Sequence, residues 1–431
     1  MVYMSLLKPL LSLIRSIIHS DDFFERSRVN GSAFTRNRIL DFSKTLIYIL
    51  WCAKTSLPST LHAFLEDILK GQSSCTRQAF SKRRKLIKPE AFKELYRASS
   101  EFLVKSVPSV TGALRKFAID GSRVNLVSHP ELVKTFGIQK GTGGLPQALI
   151  STLYDVENHF SIDVQIRPHD GNEREMAQAH LERLKQLMGD SPYLVIFDRG
   201  YPSGKLLETF ANSSGYFLMR CPTEFVKALD KRKKDAWFTH KFHSVKQPLT
   251  FRVICVVLPD GTEEILCTNL PNSYSASDVM DLYLHRWRIE ISYDFLKNRV
   301  QLENLSGITL CAFFQQLFAC LLMSNLCAAY YCENRVYEIE DGNAPSLMLH
   351  PTDDRPHKRD RRINMATVLA AIRSILPLVL VMPRSHLSRW IFLIDVHRLK
   401  NVFRYDKKGR KKPRLRVHPG MKFTQSQRPS F

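Results

Sequence analysis

The chain has 431 residues, more than one hydrophobic core usually serves, and 44% of them are hydrophobic against 24% charged, which excludes a disordered chain and implies roughly two to four structural units. Lys and Arg number 63 against 41 Asp and Glu, a net charge of +22, so a polyanion whose condensed counterions are released on binding is the natural partner; nucleic acid fits, as would an anionic membrane. The 9 Cys are an odd number without a C-x-x-C pair, so neither a disulfide framework nor a zinc site is indicated, and reduced thiols in a cytosolic protein are the simple reading.

The apolar start MVYMSLLKPLLSLIRSII carries Lys8 and Arg15 and is followed by no small-residue cleavage site, so no signal peptide is expected. Residues 1–107 read as a helical unit: apolar residues recur every three or four positions in ILDFSKTLIYILWCAKTSLPSTLHAFLEDIL, with Pro58 marking a turn. The cluster Lys82, Arg83, Arg84, Lys85 then reads either as the basic face of a DNA-binding unit or as the solvated face of an ordinary bundle.

From about 108 to 199 the pattern becomes strands alternating with a helix. RKFAIDGS is an apolar run ending in Asp120, and ALISTLYDV and FSIDVQIR read as paired strands turning at Glu157 to His159. EREMAQAHLERLKQLMG is an amphipathic helix closed by Gly189, with His169 and Asp170 in the loop before it as capping rather than catalytic residues. YLVIFDRG is a strand ending in Asp198, and the whole implies a mixed sheet with a right-handed crossover. Residues 200–279 start helix-like and continue as the strands GYFLMRC, LTFRVICVVL and EEILCTNL around the turn Pro259-Asp260-Gly261, an inserted, largely β subdomain containing the run Lys231 to Lys234. Trp237 and Phe238 beside that run are expected to pack under the insertion rather than to stack on an extruded base.

Helical periodicity returns at SASDVMDLYLHRWRIEISYDFLKNRV. On one helix, Tyr283, Arg286, Glu290 and Lys297 fall within an arc of roughly 60°. Trp287, Ile291, Leu284 and Phe295 flank this polar stripe on one side and Leu282, Ile289 and Tyr293 on the other, while His285 points away. Leu310 to Tyr331 is uncharged and long enough to cross a bilayer, but Gln315, Gln316, Ser324 and Asn325 punctuate it, so a buried core helix is expected and no membrane. Residues 346–431 contain one apolar helical unit and the basic tail KKGRKKPRLRVHPG.

Taken singly, Asp120 and Asp198 read as turn or helix caps at strand ends, and Arg286 with Glu290 as a surface ion pair at i, i+4 worth a few tenths of a kcal/mol. Together they carry more. If their strands are parallel neighbours, the two Asp side chains emerge close together, an arrangement costly without a cation. Two carboxylates on strands and a third on a helix supply the hard oxygen donors that Mg²⁺ prefers, and a pair of such ions can assist an in-line displacement at phosphorus. The phenol and cations of the stripe suit phosphates.

The motifs Asp120-Gly121-Ser122, Asp198-Arg199-Gly200-Tyr201 and Tyr283-x2-Arg286-x3-Glu290-x6-Lys297 resemble those of bacterial insertion-sequence DDE transposases of the IS-four family, over about residues 108–345. The resemblance implies an α/β, RNase H-like catalytic core with an inserted β subdomain and helical flanks: 1–107 as a DNA-binding region and 346–431 as a helical region used in pairing subunits. It implies Mg²⁺-dependent cleavage at the ends of an element, with Mn²⁺ as a substitute, then strand transfer. Asp120, Asp198 and Glu290 would hold the metal; Tyr283, Arg286, Lys297 and Arg199 would contact DNA. A homodimer on double-stranded DNA, in the bacterial cytoplasm and on the nucleoid when bound, would follow. The rival readings are a nuclease of the same fold that cuts without joining, and an inactive domesticated DNA-binding protein.

Overall fold

The computed structural model describes residues 6–36, 38–51, 57–70, 75–107, 109, 114–139, 143–211, 213–222, 225, 235–257, 261, 263–305, 307–334, 361–382, 388–389, 391–394 and 403–404. The lysine run 231–234 and the tail from 405 onward lie outside these residues. Two compact units are present: Met1–Ser106 with Val124–Gln147 and Phe295–Phe431, and Val107–Arg123 with Ala148–Asp294.

In chain order the elements are α1 (Leu7–Ile18), α2 (Asp21–Ser27), α3 (Phe42–Leu50), α4 (Leu57–Ala63), α5 (Arg77–Arg84), α6 (Pro89–Ser106), β1 (Arg115–Asn125), α7 (Pro130–Phe136), β2 (Gln147–Asp155), β3 (Phe160–Pro168), α8 (Glu173–Met188) and β4 (Tyr193–Phe197). They continue as α9 (Gly204–Ala211), β5 (Gly215–Cys221), β6 (Asp235–His240), β7 (Leu249–Val257), β8 (Glu263–Thr268), α10 (Ala276–Leu284), α11 (Trp287–Asp294), α12 (Leu310–Asn334) and α13 (Met365–Val381). Side-chain caps start many helices. Ser20, Asp41, Thr76, Asn172 and Asn364 each accept a backbone N–H of the first turn, and Ser275 with Asp278 forms a capping box. Pro58 sits in the first turn of α4 rather than in a connecting turn, a position where its missing N–H costs nothing.

The first unit is built around α12, the uncharged helix, which packs against α6, α1, α3 and α13. By length and composition it could cross a membrane, yet it is mostly buried inside the protein, and its Gln315 and Asn325 find partners there. Gln315 Nε2 donates to the carbonyls of Arg84 (3.1 Å) and Ile87 (2.8 Å), and Asn325 Nδ2 to Ser99 Oγ and Ser100 Oγ at 3.1 and 3.2 Å. Half of the basic cluster belongs to this interior. Arg84 is buried with Nε 2.7 Å from Gln315 Oε1, and Arg83 donates to the carbonyl of Leu40, leaving Lys82 and Lys85 exposed.

The second unit is built on an eight-stranded sheet in the order β3-β2-β1-β4-β5-β8-β7-β6. β1, β4 and β5 are parallel; β2 with β3, β5 with β8, β8 with β7 and β7 with β6 are antiparallel. Every residue of β4 is buried, and so are Phe117, Ala118 and Ile119 of β1, as expected for central parallel strands covered on both faces. The strands of 200–279 are hydrogen-bonded into this same sheet: β5 lies beside β4, and β8, β7 and β6 extend it outward.

Candidate active site

The parallel register of β1 and β4 pairs Ile119 with Phe197, so the next residues, Asp120 and Asp198, emerge from neighbouring strands side by side. β1 itself runs on to Asn125, past the end of its apolar run. Asp120 is fixed from below by α11. The Tyr293 hydroxyl donates to the Asp120 carbonyl at 2.8 Å and lies 3.0 Å from the Thr152 hydroxyl. The Asp120 carboxyl is pushed up to about 7, chiefly by burial; the Gly121 amide at 2.9 Å and Arg286 oppose the shift, while the charges of Asp198 and Glu173 add to it.

Periodicity predicts one continuous helix carrying Tyr283, Arg286, Glu290 and Lys297 as a stripe. Instead α10 ends at Leu284, His285 and Arg286 form a turn, α11 restarts at Trp287, and a π-helical turn, Phe295–Arg299, follows. The break turns Arg286 into the protein, where it is 5% exposed. Its Nη1 lies 2.7 Å from Glu290 Oε1 and its Nε 3.9 Å from Asp198 Oδ1, while the Tyr283 hydroxyl donates to Asp198 Oδ1 at 3.1 Å. Arg286 thus stands between the second and third carboxylates. Burial opposes its charge, but Tyr283, Asp198 and Glu290 outweigh that and its pKa is raised. Tyr283 is raised as well, by burial with Asp198 adding and Arg286 opposing, so it acts as a neutral donor.

Asp120, Asp198, Tyr283, Arg286 and Glu290 are therefore brought together in the second unit. Lys297 belongs to the first unit, half-buried, its pKa lowered by burial with Glu303 opposing. Arg199 is exposed next to Asp198. His285 is buried; burial, with Arg288 and Lys116, pushes it down to about 4, so it is a neutral interior imidazole.

Trp287 and Ile291, on the apolar flank of the stripe, are 48% and 55% exposed. Two expectations are corrected. Trp237 does not pack beneath the strands: β6 is the sheet edge, and the indole is 42% exposed with Nε1 donating to Asn272 Oδ1 at 2.8 Å. The cap of α8 is Asn172, not Asp170, with its Oδ1 accepting the Arg174 amide at 3.0 Å. Two residues at the site were given no role by sequence reasoning. Glu173 and Tyr201 both lie within electrostatic reach of Asp120, and the only signals were a carboxylate opening the helix and the Tyr that closes the Asp198-Arg199-Gly200-Tyr201 run.

The donor set suits a divalent cation. The three acidic groups offer hard carboxylate oxygens, and burial of Asp120 beside other carboxylates disfavours its charged form, a penalty that a bound cation would relieve. Among the described residues no three His, Cys, Asp or Glu side chains converge closely enough to share one ion; Arg286 supplies the countercharge for Asp198 and Glu290.

No curated protein matches the chain. Among solved structures, a piggyBac transposase synaptic complex with hairpin DNA is similar, at 10% identity and a TM-score of 0.49, over 89% of this chain and 85% of that one. The family model described as Transposase DDE domain matches residues 111–326, which include Asp120, Asp198 and Glu290. Since that match spans half of the chain, the protein belongs to the transposase DDE domain family.

Proposed function

We propose that this chain is an insertion-sequence transposase that cuts DNA at the ends of its element and joins the freed 3′ ends to target DNA, with Asp120, Asp198 and Glu290 as carboxylate donors to Mg²⁺ or Mn²⁺. The observation that carries the reading is the β1–β4 register, which places Asp120 and Asp198 on adjoining parallel strands with Glu290 linked to Asp198 through Arg286. The strand order β3-β2-β1-β4-β5, with β1, β4 and β5 parallel, supports an RNase H-like core. The net charge of +22 supports a DNA partner.

When bound, divalent ions would activate the attacking oxygen and stabilise the leaving one. The chain's own residues do the positioning. Tyr293 fixes the backbone of Asp120, Tyr283 orients Asp198 by donating to it, and Arg286 is buried where a guanidinium can move its charge-assisted hydrogen bonds from carboxylate to phosphate. Arg199 and Lys297 are further phosphate contacts in this reading. Action as a homodimer on paired ends, in a bacterial cytoplasm, belongs to the same proposal.

The test is incubation of the purified chain and Mg²⁺ with DNA carrying the element's ends plus a target plasmid. Cleavage at the boundary followed by joined product is the expected result. Cleavage without joining would make the chain a nuclease, and binding without cleavage would make it a DNA-binding protein that has lost its chemistry.

A further inference from the structure

The first residue of α8 behaves differently from its neighbours. Asn172, Arg174 and Glu175 are exposed, as expected at a helix start, while Glu173 is half-buried. Its carboxylate lies against Gly121, the residue after Asp120. A Cβ at position 121 would sit 2.8 Å from Glu173 Cδ and 3.0 and 3.1 Å from its two oxygens, so the absence of a side chain there is what admits the carboxylate. The helix start is held in place from the other strand, because Arg174 Nε donates to the carbonyl of Gly200 at 3.0 Å, two residues beyond Asp198.

Next in that loop is Tyr201, whose side chain is 1% exposed. Its hydroxyl makes no hydrogen bond within normal geometry and lies toward the Glu173 carboxylate, and burial, with the charges of Asp120 and Glu173 adding, raises its pKa. A buried hydroxyl without a partner is costly, which marks this spot as one organised around a further group. Two carboxylates within electrostatic reach of one another, with a buried phenol beside them, suit a cation, because like charges brought near each other are relieved by a proton or a metal.

We propose that Glu173 is a fourth carboxylate of the divalent-metal site, holding a cation together with Asp120. This rests on the reading of Asp120, Asp198 and Glu290 as metal donors and adds a donor to that set. It gives α8 a function: the helix delivers a carboxylate to the side of Asp120 that Gly121 leaves open, and Arg174 locks that delivery to the Asp198 loop.

Mn²⁺ binding to the full-length chain without DNA, followed by the electron paramagnetic resonance signal of the free ion, tests this without reference to activity. Glu173→Gln should weaken the tightest Mn²⁺ binding tenfold or more, whereas Glu182→Gln, an exposed carboxylate on the same helix, should bind as wild type does. Gly121→Ala should weaken binding with Glu173 still present, because its Cβ displaces the carboxylate. If Glu173→Gln does not fold by near-ultraviolet circular dichroism, Gly121→Ala decides: weaker binding supports the proposal and unchanged binding overturns it. If Glu173→Gln binds as wild type while Asp120→Asn and Asp198→Asn bind more weakly, Glu173 is no ligand and the original site stands. If all of these variants bind alike, the reading of the site falls with it.

Discussion

At the scale of single residues, charge and burial separate the groups that act from those that only support. Ser151, His180 and Asp163 have the contacts of a nucleophile relay, with His180 Nδ1 2.8 Å from Asp163 Oδ2 and Nε2 3.2 Å from Ser151 Oγ, but Ser151 and His180 are fully buried and the group serves to tie α8 to β2 and β3. Tyr283 is different, because its partner Asp198 is half-open to solvent at the site. Tyr283→Phe removes one hydrogen bond to a charged group, so single-turnover cleavage of element-end DNA should fall about tenfold or more with binding little changed. His285 sets a pH dependence. Its folded pKa of about 4 lies below the unfolded value of 6.5, so between these values the unfolded chain binds more protons and stability rises with pH. Acidification from pH 6.5 to 4 should therefore cost up to roughly 3 kcal/mol from this group. Denaturant titrations should show His285→Gln losing less stability than wild type across that window.

At the scale of elements, the strands were legible and the helix carrying Glu290 was only partly so. β4 reads YLVIF and β1 contains KFAI, and an unbroken apolar run ending in Asp is what a central parallel strand delivers to the end of a sheet. The pairing of Asp120 with Asp198 could be anticipated from that. The break between α10 and α11 could not, because LYLHRWRIE contains no Gly or Pro and keeps its helical period. What decides it is tertiary: Arg286 turns inward to Asp198, 88 residues earlier in the chain, and Tyr293 is held by the Asp120 carbonyl. Glu173 was invisible for the same reason, since the landing point of α8 beside Gly121 is not a local property. Tyr293→Phe, which deletes the hydroxyl that joins α11 to β1, should destabilise the chain by about 1–2 kcal/mol in urea titrations. It should also lower cleavage, since Asp120 loses its support.

At the scale of the molecule, charge and core divide the work. The excess of 63 Lys and Arg over 41 acidic residues does not stabilise the fold, because like charges repel, and in the proposed reading its use lies in binding DNA. The logarithm of DNA affinity should fall linearly with the logarithm of salt concentration, with a slope of about −0.9 for each phosphate neutralised. Fluorescence anisotropy on element-end DNA between low and physiological salt measures that slope, and a flat dependence would contradict an electrostatic interface. Composition points to this partner, whereas the basic cluster suggested for it is misleading in part, since Arg84 is spent on Gln315 inside the first unit. The central claim is that Asp120, Asp198 and Glu290 form the catalytic centre. Its most direct test is a comparison of Asp120→Asn, Asp198→Asn and Glu290→Gln with wild type, scoring binding and Mg²⁺-dependent cleavage on the same element-end DNA. Binding kept within a few-fold while cleavage falls about a thousandfold or more in all three is the expected result; variants that cut as wild type does would show that the chemistry resides elsewhere.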